Sequence, residues 1–407
     1  MRVLFATSLI PDGERSGGEL VASAVIKALQ QLGHRAIVAG FLRPDDQRFT
    51  DGDTIVVARR SIESADAGIR PIGWLTRSML RGMPYTSAKF FSGRYRSIVR
   101  DLCADEQIDA VIIDHTQMFW LRDWLPKHMR VALIMHNAES DLYARGALRA
   151  RSPIARLLYR REAKLLRRVE TKAALRPDRL WVLSETDAAT VQRHAPALRP
   201  SVLPVIPEWH IASAGGEPSF DVALLATWTW RPNADALRWF LSYVHPRLPP
   251  ATSIHVAGPG AEWLRGRYPQ ITYRGFVDDA AAFLRAGRVI AVPTRYGSGL
   301  ETKMLAAIAT GLPIVATSIA TRGLGNLPGS IAVADDAPTF ARSIVERVTA
   351  SGAAPTYRSD TIQWSRTRRH EFLAVLRAEM SGLGLNPLDV APTEGSREQR
   401  ERLHGVV

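Results

Sequence analysis

The feature that most constrains this chain is an alternation of short apolar runs with helix-period segments. It occurs twice, in two stretches separated by a segment rich in Pro and Gly. In the first stretch, Arg2 to Ser8 is an apolar run of strand length. Glu19 to Leu32 then repeats apolar residues at helical spacing and stops at Gly33, and Arg35 to Gly40 is apolar again. A strand, helix and strand in that order imply a parallel sheet with a right-handed crossover. Ala110 to Ile113, Arg130 to Met135 and Arg179 to Leu183 add strands, and Ser184 with Asp187 has the spacing of a helix cap. Pro200 to Ser219 carries three prolines beyond Pro200 and two glycines, the composition of an interdomain linker.

The second stretch repeats the theme. Strands are expected over Phe220 to Ala226, Ser253 to Ala257, Ile271 to Tyr273, Val289 to Val292, Ile314 to Ala316 and Ile331 to Val333. Helices are expected over Asn233 to Val244, Ala280 to Ala286, Leu300 to Thr310 and Asp335 to Val348, with a terminal helix over Asp360 to Met380. With 407 residues, two doubly wound α/β domains are the natural solution, because a single core of that size is rare. Ligands of such sheets gather at the strand ends.

The composition excludes several classes. The single cysteine, Cys103, rules out an intramolecular disulfide, and its surroundings hold no metal-ligand pattern. The first residues read as a buried strand broken at Pro11-Asp12-Gly13, not as a signal peptide, and no segment has the apolar length of a membrane span. A cytoplasmic protein is expected. The net charge of +13 is unevenly placed: twelve Lys and Arg against four acids lie between Asp141 and Arg179. Apolar residues interleave with them at Leu148, Ile154, Leu157, Leu158, Leu165, Leu166 and Val169, so the segment reads either as a solvated face or as a basic amphipathic helix. The second reading puts the protein on the inner face of a membrane; the stripe holds few aromatics, so no nucleic-acid partner is expected.

The most informative segment runs from Pro293 to Thr317. Gly297 and Gly299 precede an expected helix, and free amides at a helix start attract anions, with Arg295 and Lys303 as cations beside them. The loop lacks the Gly-Lys-Ser/Thr ending of a Walker loop, and the first strand–helix turn does not fit G-x-G-x-x-G. A strand–glycine–helix turn alone is as often structural as it is a diphosphate site.

From residue 1 to about 380 the chain resembles the family 4-type glycosyltransferases of the GT-B fold. Met1 to His34 resembles the opening strand, Gly-Gly loop and helix of that family, and Asp178 to Asp187 its Ser-Glu-x-Asp segment. Trp228 to Asn233 and Tyr273 to Asp279 are similar to elements of its second domain. The strongest likeness is Gly297-Ser298-Gly299 followed by Lys303 and by Gly311-Leu312-Pro313-Ile314-Val315-Ala316-Thr317.

The resemblance implies a GT-B architecture of two Rossmann-like domains facing a cleft: an acceptor-side domain over 1–204, a linker over 205–219 and a nucleotide-sugar domain over 220–359. A terminal helix over 360–380 would cross back to the first domain, and 381–407 would be a flexible tail. It further implies transfer from a nucleotide sugar to a glycan, lipid-linked or small-molecule acceptor, with retention at the anomeric carbon and without a cofactor or an obligatory divalent metal. UDP, GDP and dTDP donors are equally compatible, and polysaccharide or glycolipid assembly is the expected setting. Without a metal, the leaving diphosphate needs protein charges and amides. Gly17, Gly18, Arg231, Arg295, Gly297, Ser298, Gly299 and Lys303 are the candidates for it, and Gly275, Phe276, Val277 and Thr302 for the nucleoside. His136 would lie near the transferred sugar, with Asp114, His115 and Glu139 on the acceptor side. One departure stands out. The family usually carries an acid where this chain has Ala306, which binds the donor ribose, and often a second one where it has Ser298. Glu301 lies five residues back, roughly 140° around a helix, whereas Thr302 shares the face of Ala306. Ala306 therefore leaves open a second reading, a GT-B scaffold that binds without turnover.

Overall fold

The computed structural model describes residues 1–11, 17–44, 46, 52–61, 68–105, 108–150, 152–207, 217–297, 299–350 and 354–384. Gly13, Arg151, Ser298, the middle of the joining segment and nearly all of the expected tail lie outside the described residues.

Two sheets form, and every strand pair in both is parallel. The first contains β1 (Arg2–Leu9), β2 (Arg35–Leu42), β3 (Thr54–Arg59), β4 (Ala110–Asp114), β5 (Arg130–Met135), β6 (Arg179–Val182) and β7 (Ser201–Val202), in the order β3-β2-β1-β4-β5-β6-β7. The second contains β8 (Phe220–Leu225), β9 (Ile254–Ala257), β10 (Ile271–Gly275), β11 (Gly287–Val292), β12 (Ile314–Ala316) and β13 (Ile331–Val333), in the order β10-β9-β8-β11-β12-β13. Each order reverses once, between β1 and β4 and between β8 and β11. At such a switch point the loops diverge to opposite faces and open a crevice at the strand ends.

The strands are apolar on both faces because helices cover both. Phe5 and Val3 join a core with α1 (Gly17–Gln31), while Leu4 and Ala6 join another with α4 (Gly93–Asp105). Between β3 and α4 lie α2 (Arg70–Arg81) and α3 (Tyr85–Phe90). The basic segment is two helices, α5 (Glu139–Arg149) and α6 (Pro153–Leu175), which pack against each other, and not the single helix expected over 141–179. The break has a local cause. Pro153 forces the preceding backbone to extend, and Ser152 caps the new helix by accepting the Ala155 amide. Next, α7 (Glu185–His194) starts at Ser184, whose side chain accepts from the Asp187 amide.

The second sheet is wrapped by α8 (Arg231–Trp239), α9 (Ala280–Arg285), α10 (Thr302–Ala309) and α11 (Ala337–Thr349). The terminal helix α12 (Ala354–Gly382) begins six residues before the expected Asp360 and returns to the first domain. Phe372, Leu376 and Met380 are buried in its core, and Glu379 accepts from the Trp181 indole at 2.8 Å. Val205 and Ile206 also bury there.

Candidate active site

The first domain contributes a buried polar cluster at its switch point. Thr7 ends the apolar part of β1, and Asp114 is the last residue of β4, with its side chain fully buried. The Asp114 carboxylate accepts the Thr7 hydroxyl at 2.7 Å and meets His136 Nε2 at 2.6 Å. His136 follows β5, the neighbour of β4. The pairing Asp114↔Ile134 puts the two strand ends side by side. His115 has φ 73°, the only non-glycine residue with positive φ among the described residues, and its ring stacks on His136 with centroids 3.6 Å apart. A left-handed conformation is rare for a residue with a β-carbon and marks a backbone held in place by its surroundings.

The charges in this cluster follow from burial and proximity. Burial alone would raise the Asp114 carboxyl, but the His115 and His136 imidazoles and the hydrogen bonds from His136 and Thr7 outweigh it and hold it below its ordinary value. Burial, with the charge of His136, depresses His115 to about 4, against the pull of Asp114, so at neutral pH His115 is uncharged. With Asp114 ionised, the His136 Nε2 proton points at it and fixes the ring. Asp114, His115 and His136 are also the described residues that could gather around a cation, with ligand atoms within 4.8 Å of one another. The rings, however, lie nearly parallel at 19°, so their in-plane lone pairs run side by side and do not converge. The geometry suits a proton-sharing network better than a metal.

Beside the cluster is a cavity of about 260 Å³ lined by Thr7, Ser8, Gly18, Glu19, Lys89 and His115. Gly18 is needed for close packing, because a β-carbon there would stand 3.0 Å from the His115 ring. Gly17 faces the other domain, where a β-carbon would meet the Thr302 hydroxyl at 2.2 Å. Glu19 is tied up by Arg43 in a two-pronged ion pair.

The second domain contributes the segment after β11. Here the structure corrects the expected helix start. Leu300 is not helical: α10 begins at Thr302, with Glu301 as an extended N-cap. Gly299 has φ 75° and packs on the first domain, where a β-carbon would lie 2.5 Å from the His136 carbonyl oxygen. Its amide bonds to the Asp187 carboxylate of α7. The Gly299 amide is therefore committed to Asp187, and the helix-end amides are those of the first turn of α10, from Thr302 and Lys303 onward.

Lys303 Nζ donates to Asn233 Oδ1 at 2.6 Å and lies 3.6 Å from Glu301. Burial lowers its ammonium, and Glu301 opposes that shift. The guanidinium against the glycine loop belongs to Arg322, which bonds the carbonyls of Gly297 at 3.1 Å and Gly299 at 3.3 Å. Arg295, the cation expected there, is held elsewhere. It lies over the Trp239 ring at 4.6 Å and donates to the Asp335 carbonyl. Arg322 carried no signal in sequence, since it lies in a turn nineteen residues after Lys303. Arg231 is largely exposed and 3.8 Å from Asp235. Gly275 has φ 71°, and Phe276 after it is 76% exposed. Ala306 is exposed on α10.

Glu139, expected on the acceptor side, sits instead with the hairpin of α5 and α6. Burial, then the neighbouring Glu170 and Glu162, pushes its carboxyl up to about 7. Ser140 next to it binds Glu170 through both its amide and its hydroxyl.

Residues 221–349 match the family model described as Glycosyl transferases group 1. No curated protein matches the sequence. Among solved structures, the chain is similar to sucrose-phosphate synthase from Thermosynechococcus elongatus, at 15% identity and TM-score 0.60, covering 100% of both chains. It is also similar to Anabaena HepE in complex with UDP and glucose, at 13% identity and TM-score 0.56, covering 94% of this chain and 98% of the other. A third likeness is to WaaG, a glycosyltransferase involved in lipopolysaccharide biosynthesis, at 14% identity and TM-score 0.57, covering 94% and 99%. Identities this low speak for the fold, whereas the family model speaks for the second domain's sequence. The chain therefore has the two-domain GT-B fold of those structures, and its second domain, over residues 221–349, is similar in sequence to the glycosyl transferases group 1.

Proposed function

We propose that the enzyme transfers a sugar from a nucleotide-sugar donor held by the second domain to an acceptor held by the first, with retention of configuration and no obligatory metal. The observation that carries this reading is the meeting of two unlike surfaces. Lys303, Arg322 and the start of α10 stand on one side, and the Asp114–His136 pair stands on the other, joined where Gly299 packs on His136. In a retaining transfer the bond from the anomeric carbon to the diphosphate breaks, the acceptor oxygen bonds to that carbon on the same face, and the acceptor hydroxyl proton passes to the departing diphosphate oxygen. Negative charge grows on the leaving diphosphate, where a buried ammonium and helix-end amides stabilise it most. Thr302 offers its hydroxyl on the face of Ala306, where the ribose would otherwise meet an acid.

HepE was solved with UDP and glucose, and also with UDP-glucose, which supports a nucleotide-sugar donor here. The basic α5–α6 hairpin supports a setting at a membrane, in glycolipid or surface polysaccharide assembly. No helix among the described residues is long and apolar enough to cross one. Calorimetry with UDP-, GDP- and dTDP-linked sugars tests the donor site. One of them should bind with micromolar affinity and be hydrolysed slowly without acceptor. Absence of binding by every nucleotide would favour a scaffold without turnover. Proton NMR of the first-formed product reads its configuration.

A further inference from the structure

Helix α2 turns an uncharged face to solvent. At about 100° per residue, Ile69, Ile72, Gly73, Thr76, Met79 and Leu80 fall on one arc of roughly 120°. All six are exposed, Ile69 and Leu80 at 83% and Ile72 at 68%. The opposite arc is buried through Trp74 and Ser78. Amphipathic helices of soluble proteins normally point their apolar face inward, so the inverted arrangement needs a partner.

The flanks of this face carry one sign of charge. From Gly68 to Arg100 the chain has seven Lys and Arg and no acid. The exposed Arg70 and the exposed Arg81 border the apolar arc on one side. A second acid-free stretch lies next to it. Six arginines fall between Asp141 and Glu162 in the sequence, and on either side of the α5–α6 turn Leu148, Ile154 and Leu157 are 68–79% exposed. Arg161 ties the two elements together, donating to the Ser78 hydroxyl at 2.9 Å and the Ser78 carbonyl at 2.8 Å.

We propose that α2, with the tip of the α5–α6 hairpin, is an interfacial surface that seats this protein on an anionic phospholipid bilayer. Apolar side chains enter the acyl boundary while the arginines meet phosphate headgroups, the division of labour expected of a helix lying in the membrane plane. A second copy of the chain is a poorer occupant, since its own matching face would bring arginines against arginines. The surface also lies next to the acceptor-side cavity. Lys89 and Phe90 of α3 line that cavity, and Lys89 Nζ is 5.7 Å from the Trp74 ring on the buried side of α2. The acceptor is then a saccharide on a lipid anchor, its sugar end in the cavity and its tail in the bilayer. This last step rests on the sugar-transfer reading, whereas membrane seating does not.

Cosedimentation of the full chain with vesicles tests the proposal. Vesicles of phosphatidylcholine with about one-third phosphatidylglycerol should bind the protein at least about tenfold more tightly than phosphatidylcholine alone. The double variant Ile72→Glu/Leu80→Glu should lose about tenfold or more of that binding. Both side chains project into solvent, so its circular dichroism and melting temperature should match wild type, and Tyr243→Glu, an exposed residue of the second domain, should bind as wild type does. Equal binding by the double variant, or a wild-type protein that stays in the supernatant, would overturn the proposal. So would a dimer in sedimentation velocity that the double variant dissolves without any vesicle binding. Nucleotide-sugar calorimetry on the same samples reports the donor site separately, so a failure of the sugar-transfer reading is told apart from a failure of membrane seating.

Discussion

The two walls of the cleft are built by opposite strategies. On the first domain, Thr7, Asp114 and His136 come from the ends of three strands, more than twenty residues apart in sequence, and hydrogen-bond to one another. On the second, Gly299, Thr302 and Lys303 come from one short stretch, and its cations rest on carbonyls and an amide side chain. The first wall centres on one buried carboxylate, Asp114, held by the hydrogen bonds around it. The second carries positive charge that burial has already made costly. A dianion would relieve that cost, while the first wall would do little for it. In the proposed reaction, orientation falls to the first wall and charge to the second.

Substitutions separate these tasks, and the largest effect is expected at His136. His136→Ala should lower kcat by about 100-fold or more with the donor affinity nearly unchanged, measured by steady-state kinetics and calorimetry. A matching loss of donor affinity would break the division between the walls. Asp114→Asn keeps the shape and removes the charge. It should cost about tenfold in kcat, because the His136 ring loses the carboxylate that orients it. Lys303→Ala should instead raise the donor KM about tenfold, the worth of one charge-assisted hydrogen bond, while leaving the acceptor KM alone. The fourth contrast is between two arginines. Arg322→Ala should weaken donor binding several-fold through the loosened glycine loop, whereas Arg295→Ala should be close to neutral, its stacking on Trp239 being exposed.

The smallest effect concerns the hairpin behind the first wall. The Glu139 carboxyl rises from 4.5 to about 7 in the fold, so native protein keeps a proton that the unfolded chain has lost between those values. Stability contributed by this group therefore falls as pH rises from about 4.5 to 7 and is level above that. Glu139→Gln should raise the melting temperature at pH 8 and leave it unchanged at pH 4, read by thermal denaturation. A gain equal at both values would mean that the carboxyl does not titrate as its burial requires.

Much of the fold was legible because parallel strands covered on both sides are continuous apolar runs. The expected strands Arg130 to Met135, Ile314 to Ala316 and Ile331 to Val333 coincide with those found. The Ser184 cap was legible for a different reason: its partner lies three residues away. Helix α2 was not. Its apolar residues face solvent, and periodicity alone does not tell an outward face from an inward one. The start of α10 was misread at Leu300 because helix propensity ignores what Gly299 must do against the first domain.

By itself, the sequence determined the class of fold, the two-part plan and the glycine-bearing loop near Lys303, for each is written in spacings of a few residues. Only the tertiary structure decided that His136 pairs with Asp114, that Arg322 and not Arg295 backs the loop, and that the Gly299 amide goes to Asp187. Those choices join residues 22, 25 and 112 positions apart. A contact across such distances depends on how sheets stack and domains meet, and local hydrogen-bond and hydrophobic periods carry no record of that.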